Sequence, residues 1–178
     1  MTEQYRNVID EIACEYPIYQ YEFFNTDDLV FSENVRYICR TECPMYGKSW
    51  SCPPSCGTIG ECEASCRKFK NGLIFSSVAE VSDAANLAET LPTRAAHTAI
   101  LKEIVKRGFS DTERLVLSCE SCSHCAECTC PDGACRFPEE MLPCIEGYGI
   151  VVTALAEQLG MDFYISNDTV LWFGIILF

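Results

Sequence analysis

Basic charge is scarce in this chain: 13 Lys and Arg stand against 26 Asp and Glu, a formal net charge of −13. Binding to a phosphate backbone needs a Lys/Arg surface, so nucleic acid is not an expected partner. Histidine is scarcer still. His97 and His124 are the two in the sequence, and neither has a second histidine at the spacing of a finger or a helical metalloprotease motif. No Ser/His/Asp grouping, Walker loop or dinucleotide fingerprint is present, and Gly57-x2-Gly60 is too short to cradle a phosphate. Long apolar runs are missing too. The longest, Val170 to Phe178, covers nine residues and reads as a buried strand. A helix that spans a bilayer needs about 20, so no membrane span is expected. The opening Met1-Thr2-Glu3-Gln4-Tyr5-Arg6 lacks the apolar stretch of a signal peptide, which predicts a cytoplasmic protein.

Cysteine is what the chain has in excess, with 14 falling almost entirely into two dense arrays. In a reducing cytosol many cysteines mean metal rather than disulfides. In the second array Cys119, Cys122, Cys125 and Cys128 recur every third residue, followed by Cys130-Pro131, Cys135 and Cys144. Thiols at this spacing can wrap one corner of a polynuclear centre. Mononuclear zinc takes one C-x2-C pair from each of two separated knuckles, which leaves thiols of such a run with nothing to bind. The first array reads Cys39-x3-Cys43-Pro44, Tyr46-Gly47-x2-Trp50-Ser51-Cys52-Pro53-Pro54, then Cys56, Cys62 and Cys66. Proline after a ligand turns the chain away from a metal, and neighbouring aromatics can exclude water from it. The irregular spacing of this array leaves zinc and iron–sulfur both open. The two arrays are not copies of each other.

With 178 residues and 48% apolar content, the chain suits one core-bearing domain, 1–178, carrying cysteine-rich loops at 39–66 and 119–144. Val8, Ile9, Ile12 and Ala13 predict an amphipathic helix over Thr2 to Cys14, behind a Thr2 cap. Strands are predicted over Tyr16 to Phe24 and Leu73 to Val78, with Leu29 to Phe31 as a partner of the former. Cys39 to Cys66 reads as a loop broken by Pro and Gly, although Glu61 to Lys70 can be helical with Cys62 and Cys66 on one face. Ser82 to Arg107 reads as a long helix with Leu87, Leu91, Ala95, Ile100, Leu101, Ile104 and Val105 inward. Pro92 should kink or split it, and Gly108 should cap it. Arg114 to Leu117 is a strand, Gly149 to Leu159 a helix stopped by Gly160, and Phe163 to Ile165 and Thr169 to Phe178 are strands. This order predicts an α/β or α+β domain: a central mixed sheet, flanking helices, and both cysteine loops at its edge.

Cys14 stands alone and reads as a buried apolar residue, and His97 as a surface or satisfied one. His124, inside the second array, could tune a metal centre by hydrogen bonding. Tyr46, Lys48, Trp50, Arg136, Glu146 and Tyr148 are the polar or aromatic residues nearest the arrays in sequence. Glu146 is the best candidate for an acid/base, because Gly147 and Gly149 beside it permit close backbone approach.

Three stretches together resemble a known family. They are Cys39-x3-Cys43-x2-Tyr46-Gly47-x2-Trp50-x-Cys52-Pro53-Pro54, the run Cys122-x2-Cys125-x2-Cys128-Thr129-x-Pro131 with Cys135-Arg136-Phe137-Pro138-Glu139, and Glu146-Gly147-Tyr148-Gly149. The family is domain-of-unknown-function family 2284, described as predicted metal-binding proteins. The resemblance implies metal, with iron–sulfur as the leading type, and names no reaction. Matched residue by residue, it implies Cys39, Cys43, Cys52 and Cys62 as ligands of one centre. For the other it implies Cys122, Cys125, Cys128 and Cys135. Cys56, Cys66, Cys119, Cys130 and Cys144 stand where the family is not expected to have cysteine, and could exchange with these ligands or host a third centre.

Three functions stay open on this reading. The first is a protein with two [4Fe-4S] clusters that passes electrons to a redox partner protein. The second is an enzyme whose open-coordination cluster acts as a Lewis acid on a small-molecule substrate. The third is a structural zinc module whose function lies in an unknown partner.

Overall fold

The computed structural model describes residues 2–178. Its frame is a four-stranded sheet in the order β1-β2-β4-β3. The strands are β1 Ile18–Asn25, β2 Asn71–Glu80, β3 Leu115–Ser118 and β4 Thr169–Leu177, and every pairing between them is antiparallel. The fold is therefore α+β. Parallel pairing enters through the isolated bridge between Ser118 and Cys144.

The two central strands are apolar on both faces because each face carries its own layer. Successive side chains of a strand point to opposite sides. Leu73 and Phe75 accordingly join one core with Ile176, while Ile74, Phe173, Ile175 and Leu177 join the other. The first layer consists of α1 (Thr2–Ala13) and α4 (Leu87–Gly108), which bring Ile9, Ile12, Ile100, Leu101 and Ile104 onto the sheet. Each such fully buried side chain contributes about 1.5–3 kcal/mol relative to exposure. Tyr5 stacks on Phe109 with ring centroids 4.4 Å apart. On the opposite face α5 (Val152–Gln158) packs Leu155 and Ala156 against the sheet, joined by Leu29, Ile145, Ile150 and the thiol of Cys66.

Two further helices belong to the first cysteine-rich stretch and its approach. Ser32 caps α2 (Glu33–Thr41) by accepting from the Asn34 amide at 3.2 Å. Thr58 and Glu61 form a reciprocal capping box on α3 (Ile59–Cys66), which buries Cys62 and Cys66 on its inner face. Cys39 to Cys66 is therefore not one loop: Cys39 rides on α2, and α3 starts two residues before Glu61 and stops at Cys66, short of Lys70.

Several expectations change. Leu29 to Phe31 does not pair with β1; Leu29 enters the core and Phe31 bridges to Ile150. Phe163 to Ile165 forms no strand. That segment leaves the turn at Gly160 tied to β1 through Asp162, which accepts from Tyr19 at 2.8 Å, and Phe163 lies flat on Phe173 from outside the sheet. The long helix starts at Leu87, where Asn86 caps it, and it runs through Pro92 without a break. The missing proline N–H falls in the second turn, where it forfeits a bond to the Ala88 carbonyl. Leu87, Leu91 and Ala95 are exposed, and the buried face is Thr90, His97, Ile100, Leu101 and Ile104. Gly108 is the last helical residue rather than the cap, which is Phe109. His97 is buried against Phe75, with Nδ1 2.8 Å from Ser77 Oγ; its Nε2 has no partner among the described residues. Cys14 is exposed, since the helix turns it away from the sheet and its thiol donates to the Asp10 carbonyl. The Thr2 cap lies outside the described side chains. No helix among the described residues is long and apolar enough to cross a membrane.

Candidate metal centre

The thiols gather around two cavities. One, of about 280 Å3, is lined by Cys39 of α2, Cys43, Cys52 and Cys144, together with Tyr46 and the carboxylates of Glu120 and Glu146. The other, of about 20 Å3, is lined by Cys122, Cys125, Cys128 and Cys135 with Trp50, His124 and Phe137. Cys62 lines neither. It sits on α3 with Cys56, where its sulfur is 3.3 Å from the Cys56 carbonyl oxygen and 3.5 Å from Nη2 of Arg36.

Backbone turns bring the first set together. Residues 146–148 form a short 3-10 turn that α2 packs against, and Gly149 leaves it with φ +78°, a conformation that favours glycine. Gly147 is equally constrained. A Cβ there would stand 3.1 Å from both Cys144 Cβ and the Ser51 carbonyl oxygen. Cys144 Sγ lies 3.0 Å from Glu146 Oε2 and accepts from the Gly147 amide at 3.3 Å. Such N–H···S bonds tune a bound metal. The same Glu146 oxygen accepts from the Glu120 amide at 3.3 Å, and Glu120 is the one non-glycine with positive φ, +63°, among the described residues. Holding it there costs about 1–3 kcal/mol.

The thiols differ in acidity. Burial, with Cys43 and Glu146 nearby, pushes Cys39 up to about 11. Donation from Cys144, then from Ser51 and Ser49, outweighs burial at Cys52 and lowers it to about 7. Cys144 moves up as the donor in that contact, and burial adds to the shift. Glu120 is raised by burial and by Glu146. Metal binds the deprotonated thiol, so Cys52 is better prepared to bind than Cys39 or Cys144.

Ser51 ties the two sites. Its hydroxyl accepts from the Cys122 amide at 2.8 Å and lies 3.6 Å from Cys52 Sγ, while its carbonyl accepts from the Cys144 amide at 3.1 Å. Ser49 and Ser51 are fully buried, with hydroxyls 2.9 Å apart. Trp50, between them, lines the second cavity and donates to the Gly133 carbonyl at 3.0 Å. Sequence reasoning does not reach Ser49, Ser51 or Glu120, which carry no motif, and it gives Cys144, two residues before the Glu146-Gly147-Tyr148-Gly149 stretch, as a possible exchange ligand rather than as a member of the first set.

The remaining candidates are spread out. Cys119 is buried behind Ser118, and burial pushes its thiol up. Cys130 is buried with its sulfur 3.2 Å from Ser55 Oγ. Cys66 lies in the core, raised to about 12 by burial. Cys62 is lowered to about 7, chiefly by the thiol of Cys56, which itself moves up. Tyr148, beside these thiols, is raised to about 12 by burial. Lys48 and Arg136 are exposed, and Arg136 donates to the Glu127 carbonyl at 2.8 Å.

The donor sets and the spaces test differently. A water takes about 30 Å3 of liquid, so the first cavity has room for a polynuclear centre and offers it four thiols. The second offers four thiols and space for about one small body. A four-iron centre would seat there only if the largely exposed chain between Cys122 and Cys135 moved outward. No three His, Cys, Asp or Glu among the described residues are close enough to hold a single ion.

No curated protein and no solved structure matches the chain. The model of the family described as predicted metal-binding protein matches residues 22–178. With cysteines from both arrays grouped around two cavities and most of its length matched, the chain belongs to domain-of-unknown-function family 2284, the predicted metal-binding proteins.

Proposed function

We propose that this protein is an iron–sulfur protein with two [4Fe-4S] clusters that passes single electrons to a partner protein. Cys39, Cys43, Cys52 and Cys144 would hold the first cluster, with Cys144 in the place that the family resemblance gives to Cys62. Cys122, Cys125, Cys128 and Cys135 would hold the second. The clusters would supply one-electron chemistry at potentials set by hydrogen bonds to sulfur and by solvent exposure.

The observation that carries this reading is the Ser51 joint. One residue binds the amide of Cys122 and touches the sulfur of Cys52, so a ligand of each set lies against the same buried side chain. The chain's own groups do the rest. Gly147 donates to Cys144, Tyr46 and Pro53 wall the first site, and Trp50 and Phe137 wall the second. The test is anaerobic purification followed by titration with a one-electron reductant. A brown protein whose visible absorption bleaches in step with electrons added supports the reading; a colourless protein carrying stoichiometric zinc overturns it.

A specific observation favours a second reading at the first site. Glu120 and Glu146 both line that cavity, so a carboxylate stands where an acid/base would be needed by an enzyme acting on a small substrate. Glu146→Gln separates the two readings. Unchanged electron uptake with loss of any turnover would favour the enzyme. For the second set, the 20 Å3 space favours zinc as the competing metal, which metal analysis distinguishes directly.

A further inference from the structure

A third cavity, of about 300 Å3, lies between α4 and the chain at 118–123. It shares Glu120 and Ser121 with the first thiol cavity, and Cys122 and His124 with the second. Its volume is at the lower end of small-molecule sites. Nothing in the metal-binding reading uses it.

Its basic groups come from one stripe of α4, where Arg94 and Lys102 stand two turns apart with Thr98 between them. Lys102 is engaged: Nζ is 3.3 Å from Glu140 Oε2 and 3.5 Å from His124 Nδ1. Arg94 is not. It forms no ion pair among the described residues, and its buried Nε meets no acceptor. A buried donor without a partner is costly, and although Glu120 lines the same cavity and feels the Arg94 charge, the two form no ion pair.

We propose that this cavity binds a small molecule through an oxyanion group, a carboxylate or a phosphate, with Arg94 as the anchor. The guanidinium presents a planar fork of donors that matches two oxygens of either group, and such charge-assisted pairs are about twice as strong as neutral ones. Thr98 is turned away from this task, since its hydroxyl donates to the Arg94 carbonyl at 3.1 Å. A molecule held by Arg94 lies against residues that also wall both thiol sites, the place a substrate or effector of those sites would occupy. The site stands on the cavity and on Arg94, and it holds whichever metal the thiols carry.

The test is calorimetric titration of the full chain with sodium acetate and, separately, sodium phosphate, each at constant ionic strength in chloride. Saturable binding of one anion per chain is expected, weakened about tenfold or more in Arg94→Gln and unchanged in Lys68→Gln, whose lysine is exposed away from the cavity. Saturation by acetate alone marks a carboxylate ligand, and by phosphate alone a phosphate-bearing one. No saturation by either anion below about 10 mM, or equal weakening in both variants, overturns the proposal. Should Arg94→Gln not fold, phenylglyoxal labelling of the unaltered protein gives the same decision. The binding anion must protect Arg94 while exposed Arg40 stays reactive, and equal labelling of Arg94 with and without the anion rejects the site.

Discussion

The Ser51 hydroxyl lies 2.8 Å from the amide nitrogen of Cys122, although 71 residues separate the two along the chain. Ser51 directly precedes Cys52, so this bond locks the first cysteine array to the second beside the residues proposed as metal ligands. In Ser51→Ala the partly buried Cys122 amide loses its acceptor, which should cost about 1–3 kcal/mol of stability. Urea unfolding measures it. A change within about 0.5 kcal/mol would show the contact to be idle.

Cys144 and Cys62 are the two candidates for the fourth position of the proposed first cluster. Cys144 lines the cavity with Cys39, Cys43 and Cys52, whereas Cys62 lies with Cys56 and Arg36. Cys144→Ser should lose about half of the bound metal, and Cys62→Ser should keep all of it. The reverse pattern would return the fourth position to Cys62. Metal analysis and electron paramagnetic resonance on both variants decide.

His97 sets a pH dependence of stability in the first core. Burial lowers it from 6.5 to about 4, so the unfolded chain takes up a proton before the folded one does. Its contribution is fully present above about pH 6.5 and is lost as pH falls toward 4, about 3 kcal/mol in all. His97→Leu should remove that slope. Urea midpoints between pH 7 and pH 4 for both proteins check it, and parallel slopes would refute it.

Gly174 is a point of close approach between side chain and backbone on β4. A Cβ there would lie 2.5 Å from Cε1 of Phe75, a side chain with no exposed surface and no space to retreat into. Gly174→Ala should therefore destabilise by about 1–3 kcal/mol, read as a lowered melting temperature. An unchanged melting temperature would mean that the Phe75 ring can shift.

Much of this was legible in the sequence because the physics was local. The strands β1, β2, β3 and β4, the opening helix and the two arrays follow from alternation and spacing, and Cys122, Cys125, Cys128 and Cys135 do line one cavity. One open reading could be narrowed and one error avoided. His97 stands at i, i+3, i+4 and i+7 with Ile100, Leu101 and Ile104, the buried face of α4, so the period places it inside. The inward placement of Leu87, Leu91 and Ala95 followed apolar identity where that same period puts them outside. Other features were not legible. Glu120 is defined by its backbone angle, Ser51 by a bond to a residue 71 positions away, and Phe163 by stacking on Phe173 of β4. Each depends on tertiary contact, which carries no period.

The central claim is that the two thiol sets hold two four-iron clusters. Iron and acid-labile sulfide counted per chain in anaerobically purified protein test it most directly, together with electron paramagnetic resonance of the reduced state. The account predicts about eight irons and eight sulfides, with the resonance of two centres close enough to interact. Stoichiometric zinc without acid-labile sulfide would contradict it.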